Sequence, residues 1–161
     1  MTASSTTRDL IFDQLRRSRA SVRNVLAAAP SASLSRYRDS GRGWTVTEVL
    51  CHLRDFESIF LQRARLTATA DFPDLPFPDP DQLASENDYA AEEAWPAFED
   101  WGRRRRATLD FLAKLPDAAG ERAGNHPTRG RFTLDQQLIL TACHDVNHLE
   151  QITRILSEQI E

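Results

Sequence analysis

Apolar residues recur along this chain at spacings of three and four, and alternating β-branched runs are few, a pattern that predicts helices rather than strands. The first helix is expected from about Thr7 to Ala29, with Leu10, Leu15, Val22, Val25 and Leu26 on its inner side. Pro30 and the stretch SASLSRYRDSGRG end it and form a loop. A second helix opens at Thr45, where Glu48 completes a capping-box pattern, and runs to about Thr69. DFPDLPFPDPDQ then makes a long irregular connection, the kind of loop that commonly serves as a lid or wall of a site. A third helix is expected from about Ala91 to Lys114, with Pro96 implying a kink or a later start near Trp95. The loop GERAGNHPTRGR leads to a second capping-box pair, Thr133 and Gln136, and to a last helix ending at about Ser157. Four long helices joined by long loops predict one all-α domain over residues 1–161, a four-helix bundle.

Bulk composition narrows the classes without naming one. A chain of 161 residues with 40% hydrophobic and 27% charged content suits a soluble globular domain with a buried core. No apolar run approaches the roughly eighteen residues that span a bilayer. The N-terminal stretch MTASSTTRDLIFDQLRRSR lacks the apolar region of a signal peptide, so the expected location is the cytoplasm. Two cysteines in that compartment imply no disulfide framework. A net charge of −4 argues against a nucleic-acid partner, which calls for a basic footprint. The charge is uneven: residues 8–42 carry eight arginines against Asp9, Asp13 and Asp39, while residues 71–100 carry ten acids and no Lys or Arg. Two readings stay open, oppositely charged solvated surfaces or an acidic loop folded against an arginine-rich face.

Three histidines carry the most chemistry. His144 and His148 stand at i, i+4 on the last helix, one face and close enough to share an ion, and His52 lies on the second helix. At about 100° per residue, Val46, Val49, Leu53, Phe56 and Phe60 form the apolar stripe of the second helix, with His52 at its shoulder. Leu134, Leu138, Leu149, Ile152 and Leu156 form that of the last, with His144 and His148 again at the shoulder. Two packed helices can thus close a three-imidazole site with a coordination position left open, the layout of a catalytic metal. The competing reading is a set of hydrogen-bonded core-edge histidines. Cys51 and Cys143 fall opposite the stripes and are set aside as ligands, with burial at a helix or subunit contact expected instead. Glu48, Asp55 and Asp145 are candidate acceptors for imidazole N–H groups, or else plain surface carboxylates. Glu57 turns toward the core and needs a partner if buried. His126, before Pro127, is either a turn residue or a contact at a site entrance.

GRGWTVTEVLCHLRDFE, Arg63, HPTRGRFTL and HDVNHLEQI occur in that order between about Trp44 and Leu156. Together they resemble the DinB/YfiT-like superfamily of metal-dependent four-helix-bundle proteins; each motif is weak alone, and their order and spacing are the specific part. The resemblance implies an up-down-down-up bundle, often a homodimer, with His52, His144 and His148 as ligands of a divalent metal, Zn or Ni. It also implies enzymes using low-molecular-weight thiols such as mycothiol or bacillithiol, alongside hydrolases, and no DNA binding.

The expected function is therefore a metal-dependent enzyme transferring such a thiol to a small electrophilic substrate. The alternatives are a metal-dependent hydrolase and a non-catalytic module binding a metal or small ligand. Arg129 and Arg131 are candidates for holding an anionic thiol cofactor, against a bland reading as solvated loop charge. No catalytic acid or base stands out, and three imidazoles suit Zn, Ni, Fe and Cu alike.

Overall fold

The computed structural model describes residues 6–161. Its helices are α1 (Thr7–Ala28), α2 (Ser33–Arg36), α3 (Val46–Thr69), α4 (Pro80–Glu86), α5 (Ala94–Leu112) and α6 (Leu134–Glu158). Two short strands, β1 (Ala123–His126) and β2 (Gly130–Thr133), form an antiparallel hairpin. Both sequence-read capping boxes are made, Thr45 with Glu48 and Thr133 with Gln136, and a third at Thr6 with Asp9 starts α1. These reciprocal bonds satisfy orphan N–H groups of the first turn, which fixes where α1, α3 and α6 begin. Pro96 is the third residue of α5, where no intrahelical N–H bond is lost, so the later start replaces the kink.

Side-chain pairings set the helix directions. Thr67 meets Gln137 and His52 meets His144, so α3 and α6 are antiparallel. Glu92 pairs with Arg54 just ahead of α5, and Arg105 further along it with Glu57, so α3 and α5 run parallel despite being consecutive. Leu15 offers its carbonyl to Arg105 while Arg19 reaches back to Phe98, making α1 antiparallel to α5. The bundle is up-down-down-up, and the long connection between α3 and α5 is the length needed to bring the chain back to the same end.

The apolar core is in two parts. Val22, Leu26, Val49, Leu50, Phe98, Trp101 and Ile152 fill one end. Ile11, Leu15, Ala64, Leu112, Leu134 and Leu138 fill the other. Between them, one polar residue from each long helix meets in a buried layer: Ser18, Glu57, Arg105 and Asp145. Leu10, expected inward, is 63% exposed. Cys51 is fully buried although it lies off the apolar stripe, because α3 is the central helix and is covered on most sides. Cys143 is exposed, so of the two expected places, a helix interface or a subunit contact, it does not occupy the first.

Both connections read as loops carry regular structure. The acidic connection includes α4, and before it Leu75 N–H donates to the Asn125 carbonyl while Asn125 N–H donates to that of Pro73. Residues 73–75 thus lie along β1 as a third edge. Gly124 permits this approach: a Cβ there would sit 2.6 Å from Leu75 Cδ2 and 2.8 Å from the Pro73 carbonyl oxygen. Four-residue strands carry too little alternation to be read from sequence. Among the described residues no helix is long and apolar enough to cross a membrane.

Candidate metal centre

His52 in α3 and His144 and His148 in α6 converge beside the polar layer. His52 Nε2 lies 2.9 Å from His144 Nε2, and His148 Nε2 lies 3.2 Å from it. All three offer ligand atoms within 4.8 Å of one another, and His52 is the most buried. Nitrogens about 3.3 Å apart are what a tetrahedral ion with Zn–N bonds near 2.0–2.1 Å demands of its ligands. Trp44, Phe56 and Phe60 wall the group, with ring centroids 4.9 Å and 4.2 Å from His52 for the first two and 5.1 Å from His144 for the third.

Hydrogen bonding fixes one tautomer. Gln151 Nε2 donates to Asp39 Oδ2 at 2.8 Å, which turns Gln151 Oε1 toward His148 Nδ1, 2.8 Å away. His148 Nδ1 therefore carries the proton, and its Nε2 lone pair faces the centre. Asp39 is itself held by Arg154. Its loop is pinned to the chain's end by Arg38 N–H donating to the Ile160 carbonyl, with Gly41 at φ 76° in the turn. A proton on His144 Nε2 can serve one neighbouring lone pair and leaves the other facing it. The arrangement has one acceptor more than it has donors, and a cation satisfies all three. His52 Nδ1 and His144 Nδ1 have no protein partner among the described residues.

Burial holds all three imidazoles neutral. It pushes His52 down to about 3, with the neighbouring His148 adding to the effect. His144 falls well below the ordinary value for the same reasons, and His148 falls less because Gln151 supports its charged form. Neutral imidazole is the form that ligates metal.

Neither Asp55, Asp145 nor Glu48 meets an imidazole, and Asp55 and Asp145 are buried rather than on the surface. Asp55 accepts from Arg54, Arg104 and Asn87. Asp145 accepts two bonds from Arg105 and one from Ser18. Glu48 caps its helix and meets Arg38. Glu57 has the partner its burial demanded, Arg105 at 2.9 Å. Gln151, the true partner of His148, was missed; its place three residues on, one turn away on the same face, is the signal that points to it. His126 is buried at the end of β1, between Phe77 and Phe132. Arg129 and Arg131 are both exposed; Arg129 lies over Phe132, and Arg131 donates to the Glu121 carbonyl. No hydrogen bond among the described residues joins either to His52, His144 or His148.

A family model described as the DinB superfamily matches residues 9–152. The chain belongs to the DinB superfamily. A solved structure with this fold is YfiT from Bacillus subtilis, described as a probable metal-dependent hydrolase with an unusual four-helix bundle topology. It is similar with a TM-score of 0.85 and 23% identity, over 99% of this chain and 91% of that one. Among curated proteins, none matches by sequence. The superfamily assignment and the up-down-down-up pairing derived above agree on an all-α bundle.

Proposed function

We propose that this DinB-superfamily bundle is a metal-dependent enzyme, with His52, His144 and His148 holding one divalent ion, Zn or Ni. The observation that carries this reading is the convergence of three neutral Nε2 atoms with an acceptor in excess. Three ligands rather than four leave a position for exchange, as catalytic sites do. A bound ion supplies Lewis-acid activation of a thiol or of water. The chain's own part is to keep the imidazoles neutral by burial, to orient His148 through Gln151 and Asp39, and to exclude water with Trp44, Phe56 and Phe60.

Transfer of a low-molecular-weight thiol, such as bacillithiol or mycothiol, to a small electrophile is the reaction the surroundings favour. Glu48, Asp55 and Asp145 are engaged by arginines or a helix cap, so they do not serve as a general base. A thiol of ordinary pKa near 8.5 ionises beside a cation without one, whereas attack by water commonly draws on one. Hydrolysis is the second reading, favoured by the description of YfiT. The test is to load the protein with Zn or Ni and offer thiols with 1-chloro-2,4-dinitrobenzene, and separately aryl esters and amides. Metal-dependent thioether formation supports transfer; turnover of esters alone supports hydrolysis; neither supports a binding module.

The proposal includes a cytoplasmic homodimer. Ile139, Cys143 and Val146 are exposed at i, i+4 and i+7 along α6, an apolar stripe suited to a second copy. Light scattering at micromolar concentration distinguishes dimer from monomer.

A further inference from the structure

Among the described residues Arg63 is a buried cation without a counter-ion. It is 2% exposed, and the one hydrogen bond it makes to those residues runs from Nε to the Pro76 carbonyl, at 2.7 Å. Nη2 is buried with no partner among the described residues. Arg105, by contrast, meets two carboxylates and Arg54 meets Asp55 and Glu92, while the buried Arg8 spends its terminal nitrogens on the Leu115 and Pro116 carbonyls. Around Arg63 the other polar groups deepen the imbalance. Burial and the nearby Arg129 lower it to about 10, and no carboxylate opposes them. His126 is buried with Nε2 unpartnered, and Arg63 and Arg129 both act against its protonation. An unpaired buried guanidinium is costly to keep unless something anionic meets it.

Its position relates it to the histidines. The Arg63 guanidinium carbon lies 5.6 Å from the Phe60 ring centroid, and the other side of that contact chain is His144, 5.1 Å from Phe60. It lies 5.7 Å from the Phe77 ring, which is half exposed and packs on His126. Phe77 belongs to the loop that β1 holds in place, so the ring covers the guanidinium from a fixed backbone and can be displaced from outside.

We infer that Arg63, assisted by Arg129, is an anion subsite that binds a carboxylate of the small molecule whose reacting group lies at the histidines. The inference rests on reading those histidines as the reacting centre. With Nε committed to Pro76, the terminal edge of the guanidinium remains, and two parallel N–H groups match one carboxylate. The Phe77 ring swings aside on entry, and the His126 N–H, if carried on Nε2, is a further donor.

The test is isothermal titration of the metal-loaded full chain with succinate, and again after metal removal by a chelator. Saturable binding is expected in both forms, at least tenfold weaker in Arg63→Met and several-fold weaker in Arg129→Gln, with circular dichroism confirming that each variant is folded. Uncharged succinamide should not bind. Equal binding of succinate by Arg63→Met, equal binding of succinamide or inorganic phosphate, or no saturable binding overturns the subsite. So does binding lost with the metal but kept in Arg63→Met, which puts the anion on the ion instead. Persistence of succinate binding in protein that never takes up metal keeps the subsite and removes only the metal reading. A second arm identifies the owner of the carboxylate. Binding of 3-mercaptopropionate tighter than propionate only in metal-loaded protein gives it to the thiol, and equal binding gives it to the other substrate.

Discussion

His144 and Asp145 are neighbours on α6, and both are withdrawn from water, yet their surroundings are opposite. Asp145 receives three hydrogen bonds, from Arg105 and Ser18, in the layer that joins all four long helices. Arg105 spreads its remaining donors over Glu57 and the Leu15 carbonyl. Among the described residues His144 hydrogen-bonds only with two other imidazoles, and its Nδ1 has no partner. A polar group whose hydrogen bonds are met within the chain contributes to the fold; one left short is poised for something outside it. The comparison separates the residues that hold the bundle from those that await a ligand, although both sets come from the same helices.

The largest effect should come from breaking the paired side. Arg105→Ala strands Glu57 and Asp145 as buried carboxylates and should cost about 3–5 kcal/mol of stability, read by denaturant titration of metal-free protein. On the unpaired side, His52→Leu should leave metal-free stability within about 1 kcal/mol, since it exchanges an under-bonded polar group for an apolar one; metal uptake should nevertheless be abolished. A large loss of metal-free stability in His52→Leu would erase the distinction. Gln151→Ala sharpens it: freeing the His148 tautomer should weaken metal affinity about 10–100-fold, measured by competition with a chromogenic chelator, with little change in the apo fold. Thr45→Ala removes one helix cap and should cost about 1 kcal/mol without touching metal stoichiometry.

The smallest effect is in pH. Burial opposes ionisation of Asp55, but Arg54, with Asn87, outweighs it and holds the folded carboxyl below its ordinary value. A depressed folded pKa means stability fully present above the unfolded value of about 3.9 and lost as pH falls below it. Thermal melts from pH 6 to pH 2.5 should therefore decline less steeply in Asp55→Asn than in the wild type, from a lower starting point.

The helices and the histidine trio were legible because both depend on local rules. Capping boxes mark where α3 and α6 begin, and an i, i+4 pair on one face needs no tertiary knowledge. What failed depended on packing. The periodic stripe of α3 suggested one wet face, yet Arg54, Asp55 and Arg63 are buried along with the inward-turned Glu57, because the helix lies between α5 and α6 with loops over its end. Periodicity cannot see a second or third buried face. The carboxylates nearest the histidines in sequence were drawn to arginines from α5, a helix whose register relative to α3 no local pattern reveals. Gln151 was overlooked for the opposite reason: an amide carries no charge to attract notice, and its role depends on Asp39 arriving from a distant loop. The hairpin and α4 are too short to show a period.

The central claim, that the under-bonded trio is a metal centre, is tested most directly by elemental analysis of untagged protein beside His148→Ala. The account predicts close to one equivalent of Zn, Ni or a similar divalent ion in the wild type, and none in the variant, with both equally folded. Wild-type protein that stays metal-free after incubation with Zn and Ni, or a variant that retains its full equivalent, would contradict it.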